Sequence, residues 1–162
     1  MRPEWLQKKL IEPKQLEDKV AGMRAKKQTI ATLNGSFDLL HAGHLYMIHQ
    51  ARLQADVLIV ALNSDGSIRQ YKHASRPIIA LAYRLEMMAA LEFVDFVTWF
   101  DETDPRSLLA KIKPDVHVNG AEYGDACIEA EVVKTHGGRL HLVDRIPSLA
   151  TSAIIEKIKT CG

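Results

Sequence analysis

The sequence predicts an α/β fold in which a five-stranded parallel sheet carries helices on both faces, with an extra helix at the amino-terminal end. Three observations predict it. Short apolar runs alternate with helical patterns along the chain, and most of those runs are too apolar to be half exposed. A chain of 162 residues, 47% of them hydrophobic, also has enough apolar material for one good core.

Residues 13–26 read as an amphipathic helix ahead of the sheet, which divides a single domain into a helical extension, 1–27, and an α/β core, 28–162. The first strand is "TIATL" (29–33), followed by a helix over 43–54. "DVLIVAL" (56–62) is the second strand, apolar enough to be central and parallel. A helix over 80–92 turns Leu81, Leu85, Met88 and Leu91 to the core, and "VDFVTWF" (94–100) is the third strand. A helix over 105–112 leads to "DVHV" (115–118), and one over 127–136 leads through Gly137 and Gly138, read as a helix-ending turn, to "RLHLV" (139–143). The last helix spans 151–159. This βαβ rhythm, with right-handed crossovers, places helices on both faces and ligands at the carboxyl ends of the strands, near the switch point. There is no internal repeat, low-complexity tract or linker.

Charge and cysteine content exclude several function classes. Lysine plus arginine number 21 against 20 aspartates and glutamates, so no overall field recruits nucleic acid or an acidic membrane, and any bound anion must be gripped locally. Cys127 and Cys161 lie far apart in no metal-like spacing, which fits a reducing, cytoplasmic setting. The first twenty residues are charged throughout and lack the apolar core of a signal peptide, and no apolar run approaches membrane-spanning length.

The chemistry concentrates in "NGSFDLLHAGHL", residues 34–45. The loop follows the first strand and the next helix begins near Ala42, so free helix N–H groups and the positive end of its dipole face the loop and make an anion site. Gly35 can bend the loop, Gly43 lets a ligand approach the backbone, and His41 and His44, at i and i+3, project to one side. Two imidazole donors on a bound anion suit phosphoryl or nucleotidyl transfer, where positioning and charge stabilisation do most of the work. A lone histidine at a helix start is more often a cap or a packed ring; the pair favours chemistry. Zinc would want a third ligand at a recognisable spacing, and a dinucleotide would want G-x-G-x-x-G; neither pattern is present.

"NGSFDLLHAGH" resembles the H-x-G-H signature of the cytidylyltransferase-like nucleotidyltransferases. Its surroundings most resemble the D-glycero-D-manno-heptose 1-phosphate adenylyltransferase family, the nucleotidyltransferase half of bacterial ADP-heptose synthesis proteins. The similarity runs through "VALNSD", "YKHASRPI", "AYRLEMMAALEFVD" and "FDETDP" to "LATSAIIEKI". It implies a Rossmann-like fold of nucleotidyltransferase type, in which His41 and His44 contact the nucleotide phosphates while Phe37 and Asp38 shape the nucleotide end of the pocket, with Gly35, Ser36 and Gly43 in the same loop. Asn63 and Asp65 follow the second strand, where they either reach the nucleotide or cap the next short helix. Lys72 and Arg76 match a lysine and an Arg-Pro pair and suit a triphosphate and a sugar phosphate. Arg84 matches an arginine placed by the resemblance near substrate phosphate; the alternative is a surface pair with Glu86 or Glu92.

Two positions depart from the pattern. Asn119, before Gly120 in a turn expected beneath the base, stands where the family has lysine, and Ala150 replaces a hydroxyl. Thr151 and Ser152 remain at the start of the last helix to cap it, bind phosphate, or both. The resulting expectation is an enzyme transferring AMP from ATP to a sugar 1-phosphate, giving ADP-heptose, a surface-polysaccharide precursor, and pyrophosphate. Mg2+ would arrive with ATP, without direct protein ligands. The alternatives are a CTP-dependent enzyme acting on an acceptor such as glycerol 3-phosphate and a non-catalytic nucleotide-binding module. A homodimer is expected by resemblance, with the apolar stretch "LEFVDFVTWF" near its interface.

Overall fold

The computed structural model describes residues 1–147 and 149–162. Strands β1 (Ile30–Gly35), β2 (Val57–Asn63), β3 (Phe96–Phe100), β4 (Val116–Gly120) and β5 (Arg139–Val143) form one sheet in the order β3-β2-β1-β4-β5. Every pairing is parallel. All seven residues of β2 are buried, as its unbroken apolar run requires of a strand covered on both sides.

Eight α-helices accompany the strands among the described residues: α1 (Glu4–Lys9), α2 (Leu16–Ala25), α3 (Ala42–Arg52), α4 (Asp65–Tyr71), α5 (Leu81–Ala89), α6 (Arg106–Ile112), α7 (Ala130–Thr135) and α8 (Thr151–Thr160). Alternation along the strands splits the core into two layers. Ala31, Leu33, Leu58, Val60 and Leu62 meet Ile48 of α3 and Leu85 and Met88 of α5 on one face. Ile30, Ile59 and Ala61 meet Leu16, Val20 and Met23 of α2 and Leu108 and Ile112 of α6 on the other. Behind α7, Gly137 takes φ +83°, the left-handed conformation expected of a residue that ends a helix.

The amino-terminal region differs from the single helix expected over 13–26. Pro13–Gln15 forms a 3-10 turn before α2, consistent with a proline whose φ is already set for a first turn. The preceding α1 was not legible because Leu6 is its one buried residue, and one apolar position makes no period. Between these helices Leu10 bridges Val97 in parallel, and the Ile11 N–H donates to the Val97 carbonyl at 2.8 Å. The extension therefore lies along the β3 edge and satisfies part of it.

One polar pair is sealed inside the sheet. His117 of β4 and Thr32 of β1 are register neighbours, 0% and 1% exposed, joined through His117 Nδ1 and Thr32 Oγ1 at 2.8 Å, while His117 Nε2 has no partner. Burial pushes the imidazole pKa down to about 4. Among the described residues no helix is long and apolar enough to cross a membrane.

Adjacent strands β1 and β4 end at Gly35 and Gly120, and the connections beyond them lead to α3 and α7. A cleft opens at the carboxyl ends of the strands, where the strand order reverses.

Candidate active site

The cleft has a volume of about 800 Å³ and collects most of the residues singled out in the sequence. Its floor is the loop after β1. Phe37 adopts φ +46°, a left-handed conformation costly for an aromatic residue. Its ring folds back over Gly35, where a Cβ would stand 3.1 Å from it, and meets the edge of His44 at a centroid distance of 5.3 Å. The strained residue thus supports an imidazole.

His41 and His44 stack with ring centroids 3.8 Å apart and planes 21° from parallel. His41 is also the N-cap of α3, its Nδ1 accepting from the Gly43 N–H at 3.1 Å, so the capping and the chemical readings hold together. A neutral His41 accepting at Nδ1 carries its proton on Nε2. Gly43 lines the cleft, but the space left by its missing side chain is filled by the His41 ring at 3.0 Å and Leu149 at 3.3 Å. The glycine between the histidines makes room for His41 to cap its own helix, a correction to the expected close approach of ligand.

Both rings are held neutral. Burial and then Arg145 lower the His41 pKa, while burial, followed by competition with His41 for a proton and by the charges of Lys72 and Arg145, pushes His44 down to about 4. His44 Nδ1 is buried without a partner. Uncharged N–H donors beside a helix N-terminus bind an anion while leaving room to strengthen as negative charge builds on it.

On the β2 side, Lys72 Nζ donates to Ser36 Oγ at 3.0 Å, and desolvation followed by the Arg76 charge lowers its pKa. Arg76 is largely buried and spends Nε on Asp38 at 2.6 Å, leaving Nη2 buried and unpartnered. Arg76 itself lines the cleft, where its positive charge suits an anionic ligand. Asn63 reaches the cleft while donating to Ser67 Oγ at 3.0 Å.

Three expectations are corrected. Asp38 is 1% exposed, and its carboxylate accepts from Arg76 and from the Ile78 and Ile79 N–H groups. Burial alone would raise its pKa, but those hydrogen bonds hold it below the usual range. Asp38 therefore positions Arg76 and the segment after it without lining the cleft. Arg84 is 1% exposed, with its guanidinium donating to the carbonyls of Ile79, Ser36 and Asn63 and to Asp65 at 2.7 Å. A group so committed cannot also hold substrate phosphate; nor is it the alternative surface pair with Glu86 or Glu92. Asp65 accepts from Arg84 and from the Leu81 N–H at the start of α5, and it too stands outside the cleft lining. The capping alternative at "NSD" belongs to Ser64, whose hydroxyl accepts from the Ser67 N–H at the start of α4.

On the β4 side, Asn119 and Gly120 line the cleft, with the Glu122 carboxylate folded over Gly120 in the place a side chain would take. Thr151 and Ser152 also line it; Ala150 occupies the N-cap of α8 and no side chain caps that helix, which leaves both hydroxyls to a ligand. Ser148, in the same serine- and threonine-rich turn, lies outside the described residues. Sequence reasoning missed Arg145, Glu122 and Glu129. Arg145 lines the cleft and pairs with Glu122, and its charge reaches both histidines. Its place directly after β5, at a strand's carboxyl end, was the available signal.

The family model described as cytidylyltransferase-like matches residues 32–160. The chain is 40% identical over 159 residues to the bifunctional protein HldE of Pseudomonas entomophila (strain L48), covering 98% of this chain and 34% of that protein. It is 44% identical over 137 residues to HldE of Pseudomonas putida (strain GB-1), covering 84% of this chain and 29% of that protein. It thus spans about a third of the length of these relatives. A lipopolysaccharide core biosynthesis protein from Thermoplasma volcanium GSS1 superposes with a TM-score of 0.59 at 25% identity, over 74% of this chain and 97% of that one. A pantoate-beta-alanine ligase from Francisella tularensis shares the fold, with a TM-score of 0.65 at 18% identity over 92% of this chain and 72% of that one.

Proposed function

The chain belongs to the cytidylyltransferase-like family and is a nucleotidyltransferase, and from that premise we propose that it transfers AMP from MgATP to a sugar 1-phosphate. The acceptor in this reading is D-glycero-D-manno-heptose 1-phosphate and the products are ADP-heptose and pyrophosphate. The observation that carries it is the stacked, neutral His41–His44 pair at the N-terminus of α3, in a cleft also lined by the cations Lys72 and Arg76. The similarity to HldE proteins and to a lipopolysaccharide core biosynthesis protein supports the choice of acceptor.

In the proposed reaction a phosphate oxygen of the sugar 1-phosphate attacks the α-phosphorus in line, the bond from that phosphorus to the bridging oxygen breaks, and pyrophosphate leaves with the bonding electrons. His41 and His44 donate to oxygens of the transferring group, Lys72 draws charge from the triphosphate, and Arg76 holds the acceptor phosphate. Thr151, Ser152 and the free N–H groups of α8 add neutral donors. Magnesium is part of the nucleotide substrate and screens its charge. Cytoplasmic residence belongs to this reading, as the source of ATP and sugar phosphates, and both cysteines are free thiols.

Pyrophosphate release from a panel crossing four nucleoside triphosphates with heptose 1-phosphate anomers, hexose 1-phosphates and glycerol 3-phosphate tests the proposal. ATP is expected to exceed CTP and GTP by at least about tenfold in kcat/KM, roughly 1.4 kcal/mol, which one or two base-edge hydrogen bonds supply. A preference for CTP with glycerol 3-phosphate would overturn the substrates and leave the reaction class standing.

A homodimer is the proposed assembly. Val94, Val97 and Phe100 of the expected interface stretch are buried within the chain and Phe93 is 37% exposed, so the stretch itself offers little surface. Helices α3 and α5 instead expose Tyr46, Tyr83 and Met87, with Leu53 exposed just after α3, and His49 of α3 makes an edge contact with Phe93. Light scattering at micromolar concentration should give twice the chain mass; a monomer alone would end this proposal.

A further inference from the structure

The β4 half of the cleft differs in chemistry from the half that holds the imidazoles. Its one cation among the described lining residues is Arg145, and that is paired with Glu122. Beside it stand two carboxylates, Glu122 and Glu129, and the apolar side chains of Tyr123, Ile128 and Ile146. Away from the start of α8, the part of this wall formed by Glu122, Tyr123, Ile128 and Glu129 repels phosphate and accepts an uncharged, flat group. Tyr123 and Ile128 are 58% and 56% exposed, free to cover the faces of a ring.

Glu129 stands out because it is 8% exposed and still lines the cleft. It precedes α7 and faces Asn119 across the end of β4, accepting at Oε2 from Asn119 Nδ2 over a long 3.4 Å. Asn119 Oδ1 in turn accepts from the Gly120 N–H at 3.0 Å. That bond sets the orientation of the amide and points its NH2 group to Glu129. The pair therefore shows a ligand mainly acceptor capacity: the remaining lone pairs of a desolvated carboxylate and of an amide oxygen. A ligand edge that brings N–H donors is matched there, and one that brings a carbonyl is set against like partial charge without a partner.

We propose that Glu129, positioned by Asn119, reads the exocyclic amino group of the nucleotide base, so that the enzyme takes amino bases and rejects their keto counterparts. The inference rests on the nucleotidyltransferase reading and adds its specificity determinant. It also gives Asn119 a role of its own. A lysine at this position would cancel the Glu129 charge by pairing with it, whereas the neutral amide leaves the carboxylate available as an acceptor. This selection acts on the amino group, within the purine pair and within the pyrimidine pair alike, and is separate from the preference for ATP over CTP.

Two pairs of triphosphates test the effect: ATP and ITP, and CTP and UTP, differ at the base edge by an amino-to-carbonyl exchange with a proton gained on the adjacent ring nitrogen, so the exocyclic position read by Glu129 changes from donor to acceptor. Calorimetry of the magnesium complexes needs no acceptor. ATP is expected to bind the wild-type protein at least about a hundredfold more tightly than ITP, and CTP more tightly than UTP. In Glu129→Gln, whose amide keeps an oxygen for Asn119 and gains a donor for the base, the ATP-to-ITP ratio should fall to within about tenfold, with the thermal midpoint measured alongside. Equal wild-type affinity for ATP and ITP would overturn the inference, with the nucleotidyltransferase reading intact and no variant needed. A ratio unchanged in a folded Glu129→Gln would overturn it too, as would a change confined to the KM of the sugar phosphate, which would assign Glu129 to sugar hydroxyls. Binding of none of the four would remove both readings together.

Discussion

Replacing His44 by alanine is expected to lower kcat about a thousandfold, close to 4 kcal/mol of transition-state stabilisation, while ATP affinity stays within a few fold. The asymmetry follows from the geometry. In the proposed ground-state complex the nucleotide is also held by the helix N-terminus and by Lys72, so one neutral donor adds little; as charge grows on the transferring phosphoryl oxygens, that donor in a desolvated site gains most. Calorimetry beside steady-state kinetics makes the comparison. The substitution also removes the stack on His41 and the edge contact with Phe37, so His44→Gln, which keeps a donor, should recover part of the loss. Near-normal turnover in the alanine variant would take His44 out of the mechanism.

Acid is expected to destabilise the fold through His117 before carboxylate titration becomes important. The pKa of this fully buried ring is pushed down to about 4, against about 6.5 for a histidine in an unfolded chain. Between those values the unfolded state binds a proton that the folded state does not. The stabilisation is thus present above pH 6.5 and lost as pH falls through 4, where both states are protonated and the dependence levels off. The loss amounts to about 3 kcal/mol between pH 7 and pH 4, a large part of the margin of a domain this size. Depression of the His44 pKa acts in the same window and direction. Replacing both buried partners, Thr32→Val with His117→Leu, leaves neither hydroxyl nor ring stranded. Urea titrations across this range should show a shallower decline for the double variant. Parallel curves would assign the acid sensitivity elsewhere.

The α/β class, the five strands and the helices between them were legible in the sequence because each depends on patterns a few residues long. β2 is an unbroken apolar run, α5 repeats its core residues every three or four positions, and Gly137 marks a helix end. The candidate anion site at the start of α3 was legible for the same reason: strand, loop, helix start and both histidines are contiguous between residues 30 and 44. Local order determines what a local motif can bind.

Only the tertiary structure decided which charged residues face the ligand and which hold the walls that do. Arg84 and Arg76 both follow β2 within reach of the same loops, yet Arg84 is spent on three carbonyls and Asp65, while Arg76 keeps one nitrogen unpaired. Asp38 lies three residues from His41 and points away from the cleft to anchor residues 76–79, and Glu129 reaches it from the start of α7, far along the chain. A side chain's task is set by which partners it finds across the sheet ends. Buried polar groups must be satisfied by whatever the folded chain brings near, and those neighbours come from distant segments that no local pattern encodes.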